Sequence, residues 1–149
     1  MKYAVIYSVS SVQRLLDFVK TVYAFDNATP VIVKPIGGAA QAGLPEAYRL
    51  SYKRGKPLLL FPELTDLYNV LGVEKAFFLT PNGSEVSVDE LEFSGRVAYV
   101  VHGSDSVFTR GELQYGEAVW VKGVPRELPS HILIPIILYS LSTSSLDRK

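Results

Sequence analysis

The 149-residue chain carries no net charge, because 15 lysine and arginine residues balance 15 aspartate and glutamate residues. With 48% hydrophobic and 20% charged residues, it is predicted to form one globular domain spanning residues 1–149, and its neutrality argues against nucleic-acid binding driven by overall charge. A local basic patch remains open to it at Lys53, Arg54 and Lys56. The absence of cysteine excludes disulfides and thiolate metal sites.

No signal-peptide pattern opens the chain, and the longest apolar run, Ile132–Tyr139, is far shorter than the ~20 residues of a membrane-spanning helix. We therefore expect a cytoplasmic protein with no membrane contact.

The first predicted strand covers Tyr3–Ser8, a run of β-branched and aromatic residues. Ser10 or Ser11 can cap the helix that follows, and Asp26–Asn27 ends it. Apolar residues of this helix are spaced three and four apart, as on one helical face: they are Val12, Leu15, Leu16, Val19, Val22 and Tyr23.

A second strand is predicted at Pro30–Ile36, followed by a turn at Gly37–Gly38. The next helix is predicted over Ala39–Arg54, with Gly55 at its end. Pro45 lies inside this span, so we expect either a late start or a kink.

The third strand is predicted at Pro57–Phe61. Pro62 stands at the tolerated first position of a short helix that Gly72 ends. Ala76–Leu79 is the fourth predicted strand, and Thr80–Gly83 has the composition of a tight turn.

Residues Ser84–Phe93 leave two interpretations open. They can pair back as a hairpin, or Ser87 and Glu90 can form a capping box for one helical turn. The remaining predicted elements are two strands, a final helix and a frayed tail: Arg96–His102, Ala118–Val121, Ser130–Leu141 and residues 143–149.

Strands and helices alternate along most of the chain, and the strands are continuous hydrophobic runs. Both features predict an α/β fold, with a mainly parallel sheet of five or six strands and helices on both faces. Ligands of such sheets bind beyond the carboxyl ends of the strands.

Several residues at those strand ends are candidates for a site. Gly103 can permit a positive φ in a turn, or its missing side chain can let a ligand approach the backbone. Asp105 can cap local N–H groups or face a ligand, and His102 can be a buried strand-end residue or a base. Ser130 is a natural N-cap for the last helix, whose free N–H groups can receive a carboxylate or an adenine edge.

Phosphate-binding glycine loops and the GxSxG nucleophile motif are absent from the sequence. Neither His102 nor His131 has the spacing of a metal-binding pair, so no metal site is predicted. We also find no acidic–acidic–lysine pattern of the kind that builds a nuclease core.

Three segments of the last third carry a resemblance to a known family: VAYVVHGSD at Val97–Asp105, VWVKGVP at Val119–Pro125, and LPSHILIPIILYSL at Leu128–Leu141. The chain resembles the SPOUT class of S-adenosylmethionine-dependent RNA methyltransferases. The resemblance implies a C-terminal trefoil knot, an unusual topology for a polypeptide, together with a homodimer and an RNA substrate such as tRNA or rRNA.

The same resemblance implies a pocket for S-adenosylmethionine between three loops. Carried over residue by residue, the pocket residues are Leu79, Thr80, Pro81, His102, Gly103, Asp105, Val121, Gly123, Val124, Ser130 and Ile132.

The best-known branch of the class has an asparagine in the first loop and a catalytic arginine in the first helix. Residues Ser8–Ser11 contain no asparagine here, and the nearest basic residues are Arg14 and Lys20. Each is either a catalytic candidate or part of a solvated helix face. Arg110 and Arg126 flank the implied pocket and can meet RNA phosphates or be ordinary loop charges.

The sequence thus predicts a divergent SPOUT-type RNA methyltransferase. A non-catalytic binding module of the same fold, for nucleic acid or protein, is the alternative, and an unrelated doubly wound domain acting on a nucleotide is the third interpretation.

Overall fold

A computed structural model describes the backbone of residues 1–147 and the side chains of residues 1–143. Six strands form one sheet in which every pairing is parallel, in the order β3-β2-β1-β5-β4-β6. The strands are β1 (Lys2–Tyr7), β2 (Thr29–Val33), β3 (Leu59–Phe61), β4 (Lys75–Val86), β5 (Val97–His102) and β6 (Glu117–Val121).

Five α-helices connect or follow these strands: α1 (Val12–Phe25), α2 (Leu44–Arg54), α3 (Asp66–Asn69), α4 (Arg110–Leu113) and α5 (Leu133–Asp147). A π-helical turn precedes α2 at Ala39–Gly43, and 3₁₀ turns lie at Val88–Leu91 and Ser130–Ile132. In residues 1–147 no helix combines the length and apolar character needed to cross a bilayer.

Two hydrophobic clusters, one on each face of the sheet, hold the helices in place. Residues of α1 and α5, such as Leu15 and Ile137, pack with Tyr99 in the larger cluster. Leu67 of α3 and Phe108 belong to the smaller cluster. The predicted α/β architecture, a parallel sheet covered on both faces, is confirmed. The trefoil knot stays a prediction.

The sheet has a switch point between β1 and β5. The chain moves outward from β1 to β2 to β3 on one side, whereas β5, β4 and β6 lie on the other. The carboxyl ends of β1 and β5 are adjacent, since Tyr7 pairs with His102. This crevice is where open α/β sheets bind ligands.

Helix α1 has the predicted bounds. Ser11 is the N-cap, and its side chain accepts a hydrogen bond from the Arg14 N–H at 3.1 Å. Asp26 ends the helix in the left-handed conformation, with φ of 56°. The chain is helical over the whole predicted span Ala39–Arg54, so the late start expected from Pro45 is not found; instead a π-helical turn runs directly into α2 at Leu44, and the proline lies in the first turn of α2.

The region after Leu79 differs from the prediction of a strand ending in a tight turn. Both Leu79 and Ser84 align with Val119 of β6, so Thr80–Gly83 bulge out of one longer strand. The hairpin is therefore wrong, because the chain resumes parallel pairing with β6. Ser87 and Glu90 form the capping box, which confirms the second interpretation.

Two helices depart from the sequence-based bounds. Helix α4 was missed, although Thr109 and Glu112 form a capping box at its start. Helix α5 continues to Asp147 instead of ending at Leu141. The prediction of a frayed tail over residues 143–149 is therefore wrong for residues 143–147. Residues 148 and 149 lie outside the described residues.

Candidate functional site

Gly103 lies directly after β5, and its role is to admit a neighbouring loop. A Cβ atom at this position would lie 2.5 Å from the Val9 Cα, and the Gly103 N–H donates to the Tyr7 carbonyl at 2.6 Å. Gly103 is not among the residues with positive φ. The positive-φ interpretation is therefore wrong, and the missing side chain makes room for the backbone of Val9; the approach of a ligand to the Gly103 backbone stays a prediction.

Arg14 connects helix α1 to the loop after β5. Its guanidinium donates to the Gly103 carbonyl at 3.1 Å and lies 3.5 Å from the Asp105 carboxylate. The Arg14 side chain is 26% exposed and that of Asp105 is 89% exposed, so water screens this ion pair at the carboxylate end. Three candidate residues from two distant parts of the sequence thus meet at the switch point.

Two cavities open beside this contact. The helix cavity, of about 430 Å³, lies between α1 and the start of α5, and Arg14, Phe18, His131 and Ile132 are among its lining residues. The loop cavity, of about 280 Å³, lies between the bulge in β4 and the loops after β5 and β6. The residues of the loop cavity used below are Pro81, Ser104, Asp105, Arg126 and Ser130.

The two cavities share a wall. Ser130 lines the loop cavity and the next residue, His131, lines the helix cavity. Arg14 lines the helix cavity and is paired with Asp105, which lines the loop cavity.

His131 is the residue of this wall that sequence analysis missed as a site candidate. Burial lowers the pKa of its imidazole, and the positive charge of Arg14 lowers that pKa further, against the opposing effect of Asp105. The ring is therefore neutral at pH 7 and can accept a proton. Its place directly after the predicted helix cap Ser130 was the available signal.

The loop after β6 is held by two side chains. The Trp120 indole is fully buried and its N–H donates to the Val124 carbonyl at 2.8 Å. Arg126 donates to the carbonyls of Pro81 and Gly83, at 3.0 Å for Gly83, and so joins this loop to the bulge in β4. Gly123 adopts φ of +90°, a conformation that side chains rarely tolerate.

The His102 side chain lies on the face of the sheet that carries the smaller hydrophobic cluster, opposite to α1 and α5. It packs against the rings of Tyr7 and Phe108, and its Nδ1 accepts the Ser104 N–H at 3.1 Å. Burial lowers its pKa, against the opposing effect of Glu112. The imidazole thus shapes the loop after β5 from beneath and lines neither the helix cavity nor the loop cavity.

The other predicted residues fall into three groups. Pro81, Asp105 and Ser130 line the loop cavity, whereas Ile132 lines the helix cavity. Lys20 is exposed and lines neither of them, and Arg110 is exposed at the start of α4. Leu79 and Thr80 are buried at the bulge in β4, and Val121 is buried at the end of β6, just before Gly123 and Val124.

The chemistry of the loop cavity fits an S-adenosylmethionine molecule. Asp105 and Arg126 present opposite charges and Ser104 and Ser130 present hydroxyls, which matches a ligand with amino, carboxylate and ribose groups. The Thr80 hydroxyl is 1% exposed at the adjacent strand end and has no hydrogen-bond partner. The cavity volume of about 280 Å³ is just below the ~300–1,000 Å³ usual for ligand sites.

The fold is that of the SpoU/SPOUT methyltransferases. A structure concerned with 2-OH methylation of C/U34 on tRNA superposes with a TM-score of 0.74 at 16% identity, over 100% of this chain and 98% of that one. The SpoU methyltransferase AviRb of Streptomyces viridochromogenes, determined with AdoMet, gives 0.73 at 10% identity, over 97% of this chain and 60% of that one. At these identities the likeness concerns the fold.

Sequence comparison assigns the family. Residues 37–140 match the family described as "RecB-family nuclease (DUF2122)", and the chain belongs to that family. It is 37% identical over 140 residues to a protein of Aeropyrum pernix named "Putative type II restriction enzyme ApeKORF2002P", covering 92% of this chain and 90% of that protein.

The described residues offer little to the metal chemistry that nucleases commonly use. Among the side chains that the structure describes, residues 1–143, no group of three or more His, Cys, Asp or Glu is placed to hold a metal ion. Asp105, the carboxylate that lines the loop cavity, faces the guanidinium of Arg14. A two-metal mechanism needs several carboxylates around ions ~4 Å apart.

Proposed function

We propose that this chain is an S-adenosylmethionine-dependent methyltransferase that acts on RNA as a homodimer. The observation that carries the proposal is the contact of Arg14 with Gly103 and Asp105, at the wall common to the two cavities. The fold of the SpoU/SPOUT methyltransferases supports it, and the names of two proteins with that fold mention AdoMet and methylation on tRNA.

In this proposal the loop cavity holds the cofactor. When bound there, S-adenosylmethionine supplies a methyl group that its sulfonium already activates. Asp105 and Arg126 attract the oppositely charged ends of the amino-acid part, and the Ser104 and Ser130 hydroxyls donate or accept hydrogen bonds.

The helix cavity receives the RNA nucleotide. Arg14 binds a phosphate or lowers the pKa of the attacking hydroxyl by its positive charge. The neutral imidazole of His131 accepts the proton that the attacking RNA oxygen or nitrogen loses. Phe18, Ile132 and Pro135 supply an apolar wall that excludes water from this site.

Calorimetric titration with S-adenosylmethionine tests the cofactor site. We expect saturable heat at micromolar ligand and weaker binding for Asp105→Ala, whose side chain is 89% exposed and whose removal leaves the core intact. Arg14→Ala is expected to keep cofactor binding and to lose methyl transfer to RNA. A folded protein that shows no binding heat contradicts the proposal. Light scattering on the same sample determines whether it is a dimer.

Nuclease activity is the second candidate, because the family and its Aeropyrum pernix relative carry nuclease names. Incubation with plasmid DNA and Mg²⁺ distinguishes the two functions. Cleavage that survives Arg14→Ala, without cofactor binding, favours a nuclease. Cofactor binding by the wild-type protein with neither cleavage nor methyl transfer favours the non-catalytic module.

A further inference from the structure

Helix α2 exposes an aromatic pair that the fold does not use. Tyr52 is 90% exposed and Tyr48 is 44% exposed, whereas Ala47 is the buried residue of this helix. The two tyrosines are four residues apart, so their rings lie one above the other on the same helical face. A tyrosine exposed to this degree contributes little to the core.

Positive charge lies beside the aromatic pair. Arg49 and Lys53, each one residue beyond a tyrosine, are exposed on the adjacent strip of the helix surface. Glu46 pairs with Arg49, and no ion pair among the side chains of residues 1–143 involves Lys53. By contrast Lys56, the third residue of the predicted basic patch near this helix, is occupied by Asp26 and the Tyr23 carbonyl.

Proteins that bind single-stranded nucleic acids use surfaces that combine exposed aromatic rings with cationic side chains. Bases stack on the rings and phosphates meet the charges, with little sequence preference. A duplex keeps its bases stacked inside and is bound through many phosphate contacts, whereas this helix face offers the two cationic side chains Arg49 and Lys53, of which Arg49 is paired with Glu46. The surface therefore fits a single strand.

We propose that Tyr48, Tyr52, Arg49 and Lys53, which we call the α2 surface, bind single-stranded RNA. The choice of RNA over single-stranded DNA rests on the proposed function, whereas the stacking of unpaired bases follows from the surface itself.

The α2 surface is connected to the proposed active site. The π-helical turn before α2 starts at Ala39, whose N–H donates to the Ser10 carbonyl at 3.0 Å, in the loop that leads into α1. From there to Tyr52 the helical chain rises about 20 Å. An unpaired RNA segment of several nucleotides can cover that distance, so the α2 surface can hold the strand whose target nucleotide enters the helix cavity.

Fluorescence anisotropy with a labelled single-stranded RNA of ~12 nucleotides tests this proposal. Tyr52→Leu is expected to weaken binding about 5- to 150-fold, because it removes stacking and keeps an apolar side chain, whereas Tyr52→Phe is expected to bind as the wild type does. Lys53→Gln is expected to lower the slope of log K against log salt by about 0.7. Tyr139→Ala, which removes another exposed tyrosine, is the control.

If Tyr52→Leu and the wild type bind RNA with equal affinity, the proposal for the α2 surface is overturned. Preferential binding of duplex DNA would overturn it as well. Equal losses in Tyr52→Leu and Tyr139→Ala also overturn it. Titration of S-adenosylmethionine into the same variants separates the two proposals. If RNA binding depends on Tyr52 but the protein does not bind S-adenosylmethionine, the methyltransferase proposal is overturned and the RNA-binding role of the α2 surface is supported.

Discussion

Gly103 shows how one missing side chain sets the shape of the candidate site. The backbone of Val9 occupies the space where a Cβ would lie, and this approach brings the start of α1 within reach of the loop after β5. Arg14 can then donate to the Gly103 carbonyl. The glycine acts on the site by positioning Arg14.

Gly103→Ala is expected to lower the free energy of unfolding by about 1–3 kcal/mol, because the added methyl overpacks against backbone that cannot move aside cheaply. Urea unfolding measures the change. Gly111→Ala is the matched control, since a Cβ there would meet only the Thr109 hydroxyl at 3.8 Å, an ordinary contact. Equal stability of the two variants would show that the Val9 loop yields without cost.

At the scale of single elements, helix α4 illustrates how a short segment is held by its ends. It has four residues and buries none of them. The Thr109 hydroxyl accepts the Glu112 N–H at 3.2 Å, and the Glu112 carboxylate accepts the Thr109 N–H at 2.8 Å. The Tyr7 hydroxyl also donates to this carboxylate. The Glu112 carboxylate therefore closes the capping box and, through Tyr7, also joins α4 to the end of β1.

Thr109→Ala is expected to lower the free energy of unfolding by about 0.5–2 kcal/mol, the usual cost of losing an N-cap hydroxyl. Chemical denaturation measures it, with Ser94→Ala at an exposed position as the control. An unchanged midpoint for Thr109→Ala would mean that other contacts, such as that of Tyr7, suffice to hold the helix.

For the whole molecule, the buried titratable groups predict how stability depends on pH. Burial lowers the pKa of His102 and of His131 below the usual 6.5, so the unfolded chain binds more protons as the pH falls through that value. Burial alone would raise the pKa of Glu112, but hydrogen bonds from Thr109 and Tyr7 hold that pKa below the usual 4.5. The unfolded chain therefore takes up this proton first, and the loss of stability continues at lower pH. Acidification therefore favours unfolding.

Two buried tyrosines determine how the stability of the fold changes at high pH. Burial raises the pKa of Tyr7 and of Tyr99 above the usual 10.0, with smaller contributions from nearby glutamates. The unfolded chain loses these protons first, so stability falls as the pH rises above about 10.

We expect the urea midpoint to be flat between about pH 7 and pH 9 and to fall on either side. His131→Gln should reduce the decrease between pH 7 and pH 5, because it removes one of the two imidazoles. A midpoint that rises on acidification would contradict these pKa directions.

Much of the fold follows from local patterns in the sequence. Continuous apolar runs predicted the strands, and spacings of three and four residues predicted α1 with its bounds, because each depends on near neighbours in the chain. The strand ends carried the candidates Gly103 and Asp105, since parallel strands place their carboxyl ends along one edge, and the family resemblance supplied Arg14 in the first helix. The long form of β4 was missed because Thr80–Gly83 is a turn by composition and becomes a bulge only when paired with β6.

By itself the sequence determined the parallel α/β architecture, the neutral charge and a short set of candidate residues, because hydrophobic periodicity and turn chemistry are local properties. Only the tertiary structure decided that Val9 fills the space at Gly103, that His102 faces the opposite core, and that His131 joins Arg14 at a common wall. Most of those facts depend on contacts between distant parts of the chain, such as Arg14 and Gly103, which are 89 positions apart; strand order and close packing create these contacts, and no local pattern encodes them.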